Sequence, residues 1–329
     1  MKIALAAFLT TSLLVQPFAP DELPSQPVEG TVLTKSVQFS ADLEGAELQV
    51  WMDGREVPGM YLPELVMGFA WNENIRVVDT YASVQEGVLN GLVRRFEEVA
   101  LQHDFTMEMT QMDSTQSQES GSSATSPLLG QSVRFQRDTS GWEAAVLEGD
   151  GTASMDLEPL TVAFDLSAWA LPEEAGAMRW SLPGSALLEL IEPSGGLPLE
   201  WSGREPGDRL APEFGGDVEF SLKSAVDAGQ REVGIAGTVE WTESEKTDLA
   251  DVPVADGRAT QFTDHVLELE GSLLWDSEAG HLISLELKAT VDGKTRIVRD
   301  LDQDGPSYES HTSLDGEMLW SVTFEAVEG

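Results

Sequence analysis

Residues 267–291 read LELEGSLLWDSEAGHLISLELKATV, and the two-residue period on either side of the central DSEAG decides the fold. Leu267, Leu269, Leu273 and Trp275 fall on one side of the first half, with Glu268 and Glu270 on the other. Ile283, Leu285, Leu287 and Val291 repeat the arrangement, with Glu286 and Lys288 opposite. Successive strand side chains point to opposite faces, so this spacing predicts two half-buried strands. Asp276–Gly280 supplies the turn between them.

The same pattern extends in both directions. Val233, Ile235, Val239 and Trp241 precede the quoted stretch; Leu314, Met318, Trp320, Val322 and Phe324 follow it. Turns are predicted at Asp227–Gln230 and at Asp292-Gly293. Nearer the N-terminus, Leu33, Val37, Phe39, Ala41 and Leu43 alternate with polar residues, and Lys35 is the one polar side chain on the apolar face. Met107 and Met109 belong to a further strand, while Asp53-Gly54 and Glu86-Gly87 read as tight turns. Hairpin after hairpin with one wet face predicts a mainly β fold. The expectation is a long curved antiparallel sheet, or two, in meander order, as an open half-barrel or sandwich with one or two short covering helices.

A motif recurs on these strands. Gly237–Trp241, Gly271–Trp275 and Gly316–Trp320 share the form G-x-x-x-W, and Gly216–Phe220 is a version with Phe. Positions i and i+4 of a strand face the same side, so each glycine shares the apolar face with its aromatic. A glycine there either makes room for an indole from a neighbouring strand or lets the sheet bend sharply. The aromatic row has two readings: a core stripe packed by the chain itself, or a ligand-facing surface of Trp241, Trp275, Trp320 and Phe220.

Two stretches break the alternation. Residues 111–127, rich in Ser, Thr and Gln, are expected to form a mobile loop. Residues 185–192 place Ala186, Leu187, Leu190 and Ile191 on one helical face between Pro183-Gly184 and Pro193, which predicts a short covering helix.

Composition bounds the partners. The 329 residues carry a formal net charge of −39, which repels phosphate backbones and makes nucleic acid and anionic membranes poor partners. The chain has no cysteine, which excludes disulfides, thiolate chemistry and a lipidated cysteine. Lys2 followed by the apolar run Ile3–Val15 has the form of a signal peptide; the run is shorter than the roughly 20 residues that span a bilayer. The expected organisation is a signal peptide over 1–19, a Pro-rich spacer over 20–27, an N-terminal β region over 28–210 and a C-terminal meander over 211–329. These last two are either separate sheets or one continuous sheet. The mature chain is expected to be exported, periplasmic or extracellular, with no transmembrane segment; the sequence leaves its oligomeric state open.

Few residues group in a pattern that implies chemistry. His103, His265, His281 and His311 are the only histidines, and no nucleophile elbow or paired-histidine helix motif accompanies them. His265 and His281 flank one predicted hairpin and are expected at exposed strand ends. Asp300, Asp302 and Asp304, followed by Gly305, have the D-x-D-x-D-G spacing that aims carboxylates at calcium. His311 stands at the twelfth place, where a calcium loop has a bidentate glutamate, and Glu309 is the alternative ligand.

Ser126–Gly130, Leu171–Glu174, Trp180–Pro183 and Pro193–Leu197 carry a partial resemblance to exported bacterial β-rich proteins of unassigned function, covering about residues 126–201. The expected architecture is loosely similar to periplasmic lipoprotein carriers of the LolA kind. That resemblance implies a non-enzymatic protein holding an apolar or lipidated ligand (lipid, acyl chain or lipoprotein) on the concave face of its sheet. The alternatives are an envelope or extracellular structural or protein-interaction module with a dry core and, more remotely, a carboxylate-based hydrolase.

Overall fold

The computed structural model describes residues 28–85, 88–112, 114–137, 141–147, 157, 160, 166, 169, 177–191, 193–194, 196–202, 212–227, 229–248, 257–301 and 308–327. The expected signal peptide, the spacer, the Glu86-Gly87 turn and the Leu171–Glu174 segment lie outside the described residues.

Fourteen strands form one antiparallel sheet that does not close into a barrel. They are β1 (Val32–Met52), β2 (Arg55–Glu56), β3 (Glu64–Gln85), β4 (Val88–Gln111), β5 (Ser114–Thr125), β6 (Ser132–Arg137) and β7 (Trp142–Val146). The remainder are β8 (Arg179–Pro183), β9 (Glu200–Ser202), β10 (Glu213–Asp227), β11 (Gln230–Asp248), β12 (Gly257–Asp276), β13 (His281–Leu301) and β14 (Tyr308–Ala326). The main path runs β7-β6-β4-β3-β1-β14-β13-β12-β11-β10-β8. The first and last long strands pair, from Leu33 with Ala326 to Met52 with Tyr308, so the N- and C-terminal regions are one sheet.

The strands are long. β4 has 24 residues, roughly 80 Å at about 3.3 Å per residue. Alternation holds along most of this length: β12 buries Leu267, Leu269, Leu273 and Trp275 inward, and its register partner β13 buries Leu285, Leu287, Ala289 and Val291. The outward positions carry Glu268, Glu270, Glu286 and Lys288. An apolar inside and a charged outside reverse the pattern of a membrane-spanning strand, whose lipid-facing side is apolar. Among the described residues no helix is long and apolar enough to cross a membrane.

The glycines of the repeated motif work by close approach. A Cβ at Gly316 would strike the Asp42 carbonyl oxygen, one at Gly271 the Glu286 carbonyl oxygen, and one at Gly237 the Asp217 carbonyl oxygen. Each meets the backbone of the adjoining strand, so these positions admit no side chain at the observed strand approach.

Three sequence expectations are corrected and a fourth, the short covering helix, is found where it was expected. The stretch read as a mobile loop contains β5, paired with β4 from Leu101–Ala124 to Gln111–Ser114. Nearly all its side chains are exposed, so neither face carries an apolar period, and backbone pairing alone defines it. Asp292-Gly293 is not a turn but mid-strand in β13, where Gly293 leaves space for the His265 ring. Ile283 is the extra residue of a β-bulge, and Leu282 takes its place on the buried face. The covering helix is one 3-10 turn, Gly184–Leu187, continuing into one α-turn, Leu188–Ile191.

Candidate functional site

The inner face has two halves. In the lower half, toward the Asp276–Gly280 turn, the chain covers itself. The segment between β5 and β10 places Leu157, Leu160, Leu166, Trp169, Leu187, Leu190 and Ile191 in the same buried cluster as the inner residues of the sheet. Its β8 extends the edge at β10, and its β9 pairs with β5 on the other side, so the cover is tied to both flanks.

Polar side chains on the inner face fasten that cover. Lys35 and Asp79 are both buried, with Lys35 Nζ 2.9 Å from Asp79 Oδ2. Arg94 grips the same carboxylate with two hydrogen bonds, Nε to Oδ1 and Nη2 to Oδ2, each 2.7 Å. Its Nη1 donates to the Leu160 carbonyl of the cover at 2.5 Å. Burial alone raises a carboxyl pKa, but Arg94 and Lys35 outweigh it and hold Asp79 at about 2. Burial likewise works against the Lys35 ammonium, but Asp79 overcomes it and the net displacement is upward. Lys35 Nζ also lies 4.7 Å from the Phe324 ring centre.

Two further contacts fasten the cover. Glu73 Oε1 accepts from Trp71 Nε1 and from Ser194 Oγ, and Oε2 accepts from Ser194 N, all at 3.0 Å. Trp320 Nε1 donates to the Leu190 carbonyl at 2.8 Å. Three of the four aromatics expected to face a ligand lie in this covered half. Trp320 is held by Leu190 and by Phe39 at 5.4 Å. Phe220 packs between Trp180, stacked at 5.4 Å, and Trp169, edge-on at 5.5 Å. Trp275 is buried near the lower end of β12, and its Nε1 has no hydrogen-bond partner.

Trp241 is elsewhere. It pairs with His265, ten residues along β12 from Trp275, or about 33 Å. There the inner face lines a cavity of about 560 Å³, and none of the covering segment's described residues is part of its lining. Its floor is Ala41, Leu43, Leu314 and Met318; one wall is Phe69, Trp71 and Phe105; the facing wall is Trp241 and His265. Toward the upper end the lining turns polar, with Gln118, Ser120, Gln261, Thr263 and Thr295. Trp241 stacks on His265 at 4.7 Å and on Phe214 at 6.2 Å. Burial pushes the His265 imidazolium down to about 4, against a smaller opposing pull from Asp264, so the ring is neutral at pH 7. Trp241 Nε1 and His265 Nδ1 are buried without a hydrogen-bond partner.

The histidine expectations change accordingly. His265 and His281 are both buried; His281 closes the β12–β13 ladder, paired with Asp276, whereas His265 lies mid-ladder, paired with Gly293. They are therefore not neighbours. Of the calcium candidates, Asp302 and Asp304 lie outside the described residues. Asp300 pairs by its backbone with Arg258, and Glu309 Oε1 lies 2.6 Å from His311 Nε2 and 3.8 Å from Arg296 Nη1. Among the described residues no three His, Asp or Glu side chains converge on a metal-sized site.

Sequence reasoning missed Glu73, Asp79, Arg94 and the Phe69–Trp71–Phe105 wall. A signal for Glu73 was present, since it shares the parity of Phe69, Trp71, Ile75 and Val77, and Lys35, alone on its apolar face, called for a buried anionic partner such as Asp79.

No protein-family model matches the chain, and no curated protein matches it. Among solved structures, lipovitellin, described for its lipid–protein interactions, is 12% identical with a TM-score of 0.30, over 92% of this chain and 26% of that one. The InvG secretin domain β-barrel from Salmonella is 10% identical with a TM-score of 0.18, over 92% of this chain and 64% of that one. An outer membrane channel from Pseudomonas putida F1 is 8% identical with a TM-score of 0.17, over 93% of this chain and 98% of that one. The chain thus spans about a quarter of the lipovitellin chain it matches. Superpositions this loose carry no functional argument.

Proposed function

We propose that the protein is an exported, non-enzymatic binding protein that holds the acyl chain of a lipid or lipidated molecule in the upper half of its concave face. One observation carries the reading: the same apolar inner face is covered by the chain's own residues below and left as a cavity of about 560 Å³ above. That volume lies within the roughly 300–1,000 Å³ range of small-molecule sites, and an apolar floor with a few polar groups is their usual lining. Trp241 is the ligand-facing aromatic of this reading; Trp275, Trp320 and Phe220 are core.

The lining also selects the head group. It includes two carboxylates, Asp104 and Glu243, and no lysine or arginine among the described residues. Together with a net charge of −39, this disfavours an anionic head. An uncharged, hydrogen-bonding head suits the Gln261, Thr263 and Thr295 end of the cavity. Apolar contact below and hydrogen bonding above are what a carrier of neutral amphiphiles needs.

Titration of the full chain with monoolein, followed by tryptophan fluorescence, tests this. Saturable binding, at least tenfold weaker for oleate and lost in Leu314→Trp, is the expected result. Equal binding of the two probes overturns the head-group argument, and no saturable binding of either overturns the proposal.

A further inference from the structure

Exposed apolar side chains gather at one end of the sheet. Met112, in the turn between β4 and β5, is 94% exposed; Met60 and Tyr61, in the 3-10 turn Gly59–Tyr61, are 83% and 66% exposed. Met52, at the end of β1, and Val66, on β3, are also exposed. The register places all of them at the same end, because β1 ends where β3 begins and Glu64 of β3 pairs with Thr110 of β4.

The cavity lies toward this end of the sheet. Phe69 and Phe105, a register pair in the cavity wall, lie five residues below the Glu64–Thr110 pair, about 17 Å. The inner positions between them are apolar throughout: Leu65 with Met109, then Met67 with Met107. An apolar track therefore runs from the exposed tips to the cavity wall.

We infer that this end docks on a lipid bilayer with an uncharged or zwitterionic surface, so that an acyl chain enters the cavity along the Leu65–Met109 and Met67–Met107 track. This rests on the binding function proposed above. Methionine is flexible enough to follow a lipid surface, and tyrosine favours the membrane–water boundary. The charge of −39 sets the lipid class, because an anionic leaflet repels such a chain. A path lined by apolar side chains also spares the acyl chain a passage through water.

Flotation of the full chain with phosphatidylcholine vesicles tests the inference. Wild type is expected to float, and Met60→Asp/Tyr61→Asp/Met112→Asp to lose at least tenfold in bound fraction while binding monoolein in solution like wild type. Leu314→Trp separates the two proposals: it is expected to float while failing to take up monoolein. Wild type left in the soluble fraction, or the triple variant floating equally well, overturns the docking surface and leaves the cavity's function standing. Tighter binding to vesicles containing phosphatidylglycerol overturns the assignment of lipid class.

Discussion

The lower and upper halves of the concave face are built from the same strands and the same alternation, yet one is a sealed core and the other a cavity. Below, inward polar groups have partners on the covering segment: Arg94 reaches Leu160, Glu73 holds Ser194, and Trp320 bonds Leu190. Above, the inner residues grade from Leu43 and Leu314 into Thr263, Thr295 and Gln261, and none of the cover's described residues lines the cavity. What separates core from cavity is therefore where the covering segment is fastened. Hydrophobicity of the sheet does not separate them.

The largest expected effect strikes the fastening. Asp79→Asn removes the carboxylate shared by Lys35 and Arg94 and leaves two buried cations facing each other. Breaking a buried ion pair in this way costs about 3–5 kcal/mol, readable as a lower urea midpoint. A loss below about 1 kcal/mol would show that the lower half does not depend on this latch.

Acid probes the upper half. His265 has its pKa lowered to about 4 in the fold, against 6.5 unfolded, so between these values the unfolded chain binds more protons. Stability from this group is fully present above pH 6.5 and falls as pH drops toward 4, by about 3 kcal/mol at most. His265→Phe should flatten that slope in urea titrations run across the window. The same slope in the variant would place its origin elsewhere.

A pair on one strand sharpens the comparison further. Val322 is buried in the lower half and Leu314 forms the cavity floor, eight residues apart on β14. Overpacking a filled core costs about 1–3 kcal/mol, so Val322→Trp should lose near the upper end of that range. Leu314→Trp has open space to enter and should change stability by less than about 1 kcal/mol while abolishing monoolein binding. Equal losses would mean that the upper half is as tightly packed as the lower.

Much of the fold was legible because the inner and outer faces differ so sharply. Leu267, Leu269, Leu273, Trp275, Leu285, Leu287 and Val291 lie on the inner face as their period of two required, and the glycines of the repeat meet the backbone of the adjoining strand. β5 was illegible because a strand of Ser, Thr and Gln exposed along most of its length has no apolar period. Gly293 read as a turn because Asp-Gly is a turn signal; only the His265 ring, brought close by strand pairing, explains the glycine there. The cavity was the least legible feature. Its walls come from β3–β4 and from β11–β12, far apart in sequence, and only the curvature of the sheet sets Phe69 and Trp241 around one space. Sequence could name the Trp row but could not say which member lines the cavity.

Native mass spectrometry of the full chain, held without detergent in excess monoolein, tests the central claim most directly. The account predicts one bound amphiphile per chain, retained by the wild type and absent from Leu314→Trp. A bare polypeptide mass for the wild type under those conditions would contradict it, and the concave face would then be a core that is merely incomplete at one end.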